Sequence, residues 1–250
     1  MMAPSMVVDV SEDWAIACDV QQRFMQRPKP TISHGISYSA HCQQMRAVGG
    51  DFYEVLPLCG NRVALAIGDA SGKSLPAALM ISSVQSSLRT AAHFAGEQAA
   101  VVLQTVNRLA EPISLAGRYA TVFYGVFDGT TRMLRYVNAG HNPPVIIGRD
   151  GSVTRLETGG APVGMFSECE YEEGTAWLRP GDLLVAYTDG VTEAVNAEGD
   201  EWGLEGLLKA IDKREGASPD EIAHSIFAQM AEFSEGHQTD DATVLVARAL

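Results

Sequence analysis

The spacing of apolar residues changes several times along the chain between a helical and a strand-like period. From about Trp14 to Arg27 the apolar side chains fall near one helical stripe, which Pro28 and Pro30 bring to an end. The stripe consists of Trp14, Ala17, Cys18, Val20 and Phe24. We therefore predict an N-terminal helix and linker over residues 1–30, followed by one domain over residues 31–250.

Alternating apolar residues then predict a β-hairpin. Its strands run from Phe52 to Leu58 and from Arg62 to Gly68, and the turn Cys59-Gly60-Asn61 joins them. Two helices follow the hairpin in the pattern. The first runs without a breaker from Leu75 to Phe94, and the second runs from Glu97 to Leu115 although Pro112 lies near its end.

Short apolar runs between turn residues predict strands again in the second half of the chain. These strands are Tyr119 to Phe127, Met133 to Asn138, Pro144 to Ile147 and Leu183 to Thr188. Helices from Trp202 to Ile211 and from Pro219 to Phe233 precede a last strand, Ala242 to Ala247. Because strands and helices come in blocks and not in regular alternation, we predict an α+β fold of stacked antiparallel sheets covered by helices.

Composition and charge narrow the class of protein. The 250 residues are 46% hydrophobic and 20% charged, which fits one globular domain. The formal net charge of −13 argues against a nucleic-acid partner, which needs clustered lysines and arginines. Part of this negative charge fits a site for divalent cations, which gathers several carboxylates in one place.

The cysteine spacing and the hydropathy of the chain indicate its cellular compartment. The four cysteines are widely separated and form no CxxC pair, so neither a zinc site nor a disulfide framework is predicted. No apolar run is long enough to span a bilayer, and the N-terminus lacks a basic region followed by an apolar stretch. We expect a cytoplasmic protein with reduced thiols and no membrane partner.

Aspartates follow or precede the predicted strands in four segments. These segments are Val48-Gly49-Gly50-Asp51, Ile67-Gly68-Asp69-Ala70-Ser71-Gly72, Tyr187-Thr188-Asp189-Gly190 and Thr239-Asp240-Asp241-Ala242-Thr243. Any one of them is also an ordinary turn, and glycine lets the backbone approach a ligand closely. Hydrophobic strands that deliver four carboxylates to their ends are typical of a site for a hard cation.

Six segments in fixed order carry a family resemblance: AVGGDFYEV, AIGDASGKSLPAALM, YVNAGHNPP, GAPVGMF, GDLLVAYTDGVTEA and TDDATVLVAR. From about residue 14 to 250 the chain resembles the bacterial PPM-type (PP2C-like) serine phosphatases of the SpoIIE and RsbU kind. The resemblance implies a four-layer α/β-β/α sandwich with two Mn²⁺ or Mg²⁺ ions at one edge of the sheets. It also implies hydrolysis of phosphoserine or phosphothreonine on a protein, by resemblance a STAS-domain anti-anti-sigma factor.

By motif position, the resemblance assigns the metal ligands. Asp51 and Asp69 would hold the metal pair with the backbone carbonyl of Ala70, and Asp189 and Asp240 would complete the shell. Asp241 is the less certain member of its pair. Oxygen-only ligands suit Mg²⁺ or Mn²⁺, and two such ions activate a bridging water for attack on the phosphoryl group.

Other candidates have alternatives that stay open. Arg46 either binds the substrate phosphate through its planar guanidinium or is a surface arginine in a loop. His141 is either a general acid or a residue that fixes a turn, and we favour the turn. Gly72-Lys73-Ser74 resembles the end of a P-loop, but position 67 is Ile where that motif needs glycine, so no nucleotide site is predicted.

Two departures from the family pattern stand near the motifs. Ser74 stands where the family usually has glycine, and Glu54 where it usually has aspartate. Neither is a predicted ligand, so activity is still expected, with a differently shaped loop after Asp69. The competing functions are a pseudophosphatase scaffold, which would lack a ligand aspartate, and a nuclease or phosphodiesterase, which would show histidine ligands and a basic groove. Regulation in trans, or through a homodimer made by the N-terminal helix, is a further hypothesis.

Overall fold

Two β-sheets packed face to face, with helices on both outer faces, form the molecule. The computed structural model describes residues 10–25, 31–114, 117–212 and 216–250. The strands are β1 (Thr31–Ser33), β2 (Ile36–Gln43), β3 (Asp51–Leu58), β4 (Arg62–Ala70), β5 (Ala120–Asp128), β6 (Met133–Ala139), β7 (Val145–Ile147), β8 (Val153–Arg155), β9 (Gly159–Gly160), β10 (Gly174–Trp177), β11 (Leu183–Tyr187) and β12 (Ala242–Ala249). The helices are α1 (Val10–Met25), α2 (Leu75–Ala95), α3 (Ala99–Ala110), α4 (Asp189–Thr192), α5 (Gly203–Asp212) and α6 (Pro219–Phe233).

The pairing of the strands is almost entirely antiparallel. One sheet has the order β1-β2-β12-β11-β7-β8, and the other has the order β10-β6-β5-β4-β3. Strand β9 pairs with β6 and is the parallel exception among the described strands. Long loops and helices, not hairpins alone, therefore connect neighbours such as β2 and β12.

Three clusters of buried side chains divide the molecule into four layers. One cluster fills the space between the sheets and includes Leu65, Phe123 and Leu245. Another packs α2 and α3 on the outer face of the β3–β6 sheet. A third packs α5 and α6 on the outer face of the sheet that contains β11 and β12. The predicted sandwich of two mainly antiparallel sheets flanked by helices is confirmed.

Several predicted boundaries need correction. Strands β1 and β2 were not predicted, because their residues mix polar and apolar side chains without a clear alternation. Helix α3 ends at Ala110, and a short 3₁₀ turn (Glu111–Ile113) containing Pro112 follows, since proline cannot continue the α-helical hydrogen bonds. The predicted end of this helix at Leu115 falls outside the described residues.

Most of the predicted stripe of the N-terminal helix is half-buried, and two residues outside the stripe are buried more fully. Gln21 and Met25 are buried, whereas Val20 is 48% exposed. Gln21 is buried because its amide bonds to the backbone of Gly49. Arg27, Pro28 and Pro30 lie outside the described residues. None of the helices that the structure describes has the length and apolar character needed to cross a bilayer.

Candidate metal centre

Asp51 and Asp69 lie directly opposite each other on neighbouring strands. Asp51 is the first residue of β3, Asp69 is the penultimate residue of β4, and their Cα atoms are register partners. The Ala70 amide donates to the Gly50 carbonyl at 3.0 Å. A Cβ atom on Gly50 would lie 3.1 Å from both the Ala70 carbonyl oxygen and Asp69 Oδ1. A glycine at this position thus leaves room for both oxygens at the sheet edge.

Two threonines of the opposite sheet hold Asp51. Thr188 Oγ1 and Thr243 Oγ1 donate to Asp51 Oδ2 at 2.8 and 2.6 Å. The Thr243 amide in turn donates to Thr188 Oγ1 at 2.9 Å. All three residues are buried. Because both donors bind the same oxygen, Asp51 Oδ1 accepts neither of these bonds and the carboxylate has a fixed orientation.

Asp189 and Asp240 come from the segments that follow β11 and precede β12. Asp189 begins the short helix α4, and Gly190 packs so closely on the Asp241 backbone that a Cβ atom there would lie 2.0 Å from its carbonyl oxygen. Asp240 Oδ2 forms an ion pair with Lys73 Nζ at 2.8 Å. The structure therefore brings all four predicted ligand aspartates, Asp51, Asp69, Asp189 and Asp240, to one edge of the sandwich, the aspartate edge.

Asp241 has a structural role in this edge. Its Oδ1 accepts from the Met45 amide and its Oδ2 from the Gly50 amide, both at 2.7 Å. Both oxygens are thus engaged by backbone amides of the loop before β3. The sequence left the role of Asp241 as a metal ligand uncertain. In the structure, its carboxylate binds the loop that leads into Asp51.

The protonation of the aspartates reflects burial and mutual repulsion. Burial raises the pKa of Asp51 to about 7, although hydrogen bonds from Thr243 and Thr188 lower it. Burial also raises the pKa of Asp69 to about 9, and the negative charges of Asp51, Asp189 and Asp240 add to that rise. The pKa of Asp189 is raised by burial and by Asp240. The protein groups around these aspartates therefore do not fully stabilise their ionised forms.

The residues present fit divalent cations. The candidate donors are carboxylate and carbonyl oxygens, which suit Mg²⁺ or Mn²⁺. Among the described residues, Lys73 is the one basic side chain that forms an ion pair with any of the four aspartates, so much of their charge has no cationic partner. No three of these aspartates bring carboxylate oxygens mutually within 4.8 Å, so the structure does not gather them round a single point.

Two arginines flank the loop that follows Asp69. Arg46 Nη1 donates to Ser74 Oγ at one side of the loop. At the other side, a Cβ atom on Gly72 would lie 2.9 Å from Arg118 Nη1, which is buried without a hydrogen-bond partner among the described residues. Sequence reasoning missed Arg118, because no motif marks it. Arg118 also lines an apolar cavity of about 400 Å³ with Leu75, Pro76, Leu79, Met80 and Ile113.

His141 lies in the turn after β6 and is buried. Its amide donates to Asn138 Oδ1 at 2.7 Å, and Asn138 Nδ2 donates to the His141 carbonyl at 2.9 Å. Its Nδ1 lies 2.9 Å from Thr121 Oγ1, and Thr121 is the register partner of Asp69. Burial lowers the pKa of His141 to about 4, so its imidazole is neutral near pH 7. These contacts fix the turn that follows β6.

The two departures from the family pattern have distinct surroundings. Ser74 precedes α2 with φ of 67° and ψ of −151°, a conformation that glycine adopts far more readily. Glu54 is fully buried and accepts from Gln85 Nε2 and Arg89 Nε, both on α2. Glu54 therefore holds α2 against the outer face of its sheet and is not part of the aspartate edge.

The N-terminal helix contacts the loop that leads into Asp51. Gln21 Nε2 donates to the Gly49 carbonyl at 2.7 Å, and the Gly49 amide donates to Gln21 Oε1 at 2.9 Å. Gln44 Nε2 also donates to Gln21 Oε1, at 3.0 Å. A residue of α1 thus fixes the backbone two positions before Asp51.

Comparison with known proteins gives one family match. The family model described as Stage II sporulation protein E (SpoIIE) matches residues 60–250. Among curated relatives, Protein IcfG of Synechocystis sp. is 28% identical over 90% of this chain, and Phosphoserine phosphatase RsbU of Bacillus subtilis is 26% identical over 96%. The chain spans 40% of the length of IcfG and 71% of the length of RsbU.

Solved structures share the fold. The SiaA-PP2C domain of Pseudomonas aeruginosa superimposes with a TM-score of 0.83 at 20% identity, and the match covers 96% of each chain. The catalytic domain of the serine threonine protein phosphatase PstP, in complex with two manganese ions, has a TM-score of 0.64 at 19% identity over 86% of this chain and 98% of that one. At these identities the likeness establishes the fold.

Proposed function

The chain belongs to the SpoIIE family, whose model matches residues 60–250, and we propose that it is a metal-dependent protein serine/threonine phosphatase. The observation that carries the proposal is the register pairing of Asp51 with Asp69, with Asp189 and Asp240 at the same edge. The curated relative RsbU is named a phosphoserine phosphatase, which supports the reaction class.

We assign two Mn²⁺ or Mg²⁺ ions to Asp51, Asp69, the Ala70 carbonyl, Asp189 and Asp240. The presence of two manganese ions in the PstP domain supports this number. When bound, such ions supply Lewis-acid polarisation of the phosphoryl group and a nucleophilic water at neutral pH. Their positive charge would also offset the mutual repulsion that, in addition to burial, raises the pKa of Asp69.

The remaining residues orient the ligands and the substrate. Thr188 and Thr243 fix one oxygen of Asp51, and Lys73 holds Asp240. Arg118 has a buried Nη1 without a partner among the described residues, and we assign it, in preference to Arg46, to the substrate phosphate. Arg46 already donates to Ser74, so its guanidinium is partly engaged.

The substrate is proposed to be a phosphoserine or phosphothreonine on a cytoplasmic protein. By family resemblance it is a STAS-domain anti-anti-sigma factor in a stress or developmental switch. The net charge of −13 disfavours nucleic acid as a partner. The apolar cavity beside Arg118, lined by Leu75, Leu79 and Ile113, offers apolar contacts to residues that flank the phosphorylated position.

The N-terminal helix is proposed as a homodimer contact. Ile16 and Val20 are 55% and 48% exposed and lie one helical turn apart on α1. A second copy of the helix would bury both side chains. Light scattering of Val20→Glu against the unchanged chain tests this: a dimer that becomes a monomer supports the contact, and an unchanged mass contradicts it.

The function is tested by phosphate release from a phosphoserine STAS-domain protein with Mn²⁺ or Mg²⁺. We expect metal-dependent turnover that Asp69→Asn abolishes. Asp150→Asn, in the exposed turn between β7 and β8, is the matched control and should retain full activity. No turnover by the unchanged chain on several phosphoproteins, with either metal, would contradict the proposal and leave the pseudophosphatase scaffold.

A further inference from the structure

A second cluster of metal-ligand side chains lies outside the aspartate edge, between β2 and α6. It consists of His41 on β2 and of Asp220 and His224 in the first two turns of α6. Each residue offers one ligand atom, and these three atoms all lie within 4.8 Å of one another. Among the described residues, no other group of three or more histidine, cysteine or carboxylate side chains has ligand atoms this close together.

The spacing of the cluster is close to that of a bound ion's ligands. His41 Nε2 lies 2.9 Å from Asp220 Oδ1, and His224 Nδ1 lies 3.5 Å from Asp220 Oδ2. Ligands bound to Zn²⁺ at about 2.1 Å in tetrahedral geometry lie about 3.4 Å from each other. The three ligand atoms, all within 4.8 Å of one another, are thus near the spacing that an ion would need.

The side chains have the freedom that small rotations would need. The His41 and Asp220 side chains are 33% and 38% exposed, and that of His224 is 65% exposed. His224 Nδ1 also lies 2.8 Å from the Asp220 carbonyl oxygen, and an exposed ring can turn to release this contact. The imidazole rings of His41 and His224 are already neighbours, with centroids 4.5 Å apart.

A further residue orients the carboxylate. Ser39 Oγ donates to Asp220 Oδ1 at 2.8 Å and lies 3.1 Å from His41 Nε2. Ser39 and His41 are two positions apart on β2 and so lie on the same face of the strand. A hydrogen bond that fixes a ligating carboxylate is a regular feature of metal sites and strengthens binding.

The donor set differs in kind from that of the aspartate edge. Two imidazoles and one carboxylate suit Zn²⁺ and other late transition metals, whereas all-oxygen donors suit Mg²⁺ and Mn²⁺. We propose that His41, Asp220 and His224 form a second metal site, which binds Zn²⁺ and fastens α6 to β2. Three protein ligands leave the fourth position of a tetrahedral ion to water.

The site connects two elements that lie far apart in the chain. His41 and Asp220 are separated by 179 residues, and α6 packs on the outer face of the sheet formed by β2 and β12. His41 is the register partner of Val244, the residue after Thr243 on β12. Zinc at this site would therefore hold α6 against β2, the strand that pairs with the one carrying the Asp51 donor Thr243.

The test is Zn²⁺ binding to the full chain in excess Mg²⁺, which would occupy the proposed all-oxygen site. Isothermal titration should give one Zn²⁺ per chain, with affinity at least about tenfold weaker in His224→Ala and in His41→Ala. His93→Ala, an exposed histidine on α2, is the matched control and should bind as the unchanged chain does. His224 is largely exposed, so its substitution should leave the fold intact.

Two further measurements identify the site. Co²⁺ in place of Zn²⁺ should give the visible absorption of a tetrahedral nitrogen and oxygen site, and His224→Ala should lose it. Asp69→Asn should keep the Zn²⁺ affinity, because the proposed zinc site does not include the aspartate edge. Equal Zn²⁺ affinity in the unchanged chain and His224→Ala, or loss of binding in Asp69→Asn, would overturn the proposal, whatever the outcome of the phosphatase assay.

Discussion

Thr243 Oγ1 donates a 2.6 Å hydrogen bond to Asp51 Oδ2, and the two residues belong to different sheets. The bond joins the start of β12 to the start of β3 at the aspartate edge. Thr188, the residue that follows β11, donates to the same oxygen. The packing of the two sheets therefore sets the orientation of a proposed metal ligand.

Replacement of Thr243 by valine should weaken this edge. The variant leaves a buried Asp51 oxygen with one donor fewer, which costs about 1–3 kcal/mol of stability. Mn²⁺ affinity should fall together with the midpoint of urea unfolding. Thr175→Val, at an exposed position of β10, is the control and should match the unchanged chain in both measurements. Unchanged Mn²⁺ affinity in Thr243→Val would show that Asp51 needs no such orientation.

The metal-free chain should lose stability as pH rises. The folded pKa values of Asp51 and Asp69 are raised from 3.8 to about 7 and about 9, so the folded state holds more protons than the unfolded state between these limits. Stability therefore falls from about pH 4 to about pH 9. Urea unfolding in EDTA at several pH values in this range measures the slope of the free energy of unfolding against pH. Asp69→Asn should flatten it, and an equal slope in this variant would contradict the assignment.

Replacement of Gln21 by alanine should lower the metal-dependent activity, although Gln21 is not a proposed metal ligand. The substitution leaves the Gly49 amide and carbonyl without their partner and costs about 1–3 kcal/mol if both stay buried. Metal-dependent activity should fall, because Gly49 lies two residues before Asp51. Gln22→Ala, an exposed neighbour on α1, is the matched control. Equal activity in the two variants would restrict α1 to a packing role.

Ser74→Gly should stabilise the chain. Serine at φ of 67° and ψ of −151° occupies a region that is almost restricted to glycine. Relief of this strain, less the entropy cost of glycine, should add about 1 kcal/mol to the free energy of unfolding. Ser74→Ala keeps the strain and removes the Oγ that Arg46 contacts, so urea unfolding should rank it below Ser74→Gly. The reverse order would contradict the interpretation.

Arg118→Met should affect substrate binding more than turnover. Loss of a charge-assisted hydrogen bond to phosphate is worth about 1.5–3 kcal/mol, or roughly a 10- to 150-fold rise in KM. Steady-state kinetics on a phosphoserine protein measure it. Arg108→Met, an exposed position on α3, controls for loss of charge. Arg46→Met should have the smaller effect, and the opposite ranking would restore Arg46 as the phosphate ligand.

Much of the fold follows from local patterns. The helices α2, α5 and α6 and the strands β3 to β6 show a clear helical or alternating period, and their boundaries were predicted to within a few residues. Strands β1 and β2 lack that period, and β2 gains its place by pairing with β12 along its whole length. Such pairing depends on a partner about 200 residues away, which a local window does not contain.

The sequence by itself determined the family, the layered α+β class and the four aspartates at the ends of strands, because each leaves a local pattern of spacing or motif. Only the tertiary structure decided that Asp51 opposes Asp69, that Thr188 and Thr243 fix Asp51 from the other sheet, and that His41 meets His224. These relationships join residues as many as 192 positions apart. The order of strands in a sheet and the packing of layers decide them, and neither is encoded in the period of one segment.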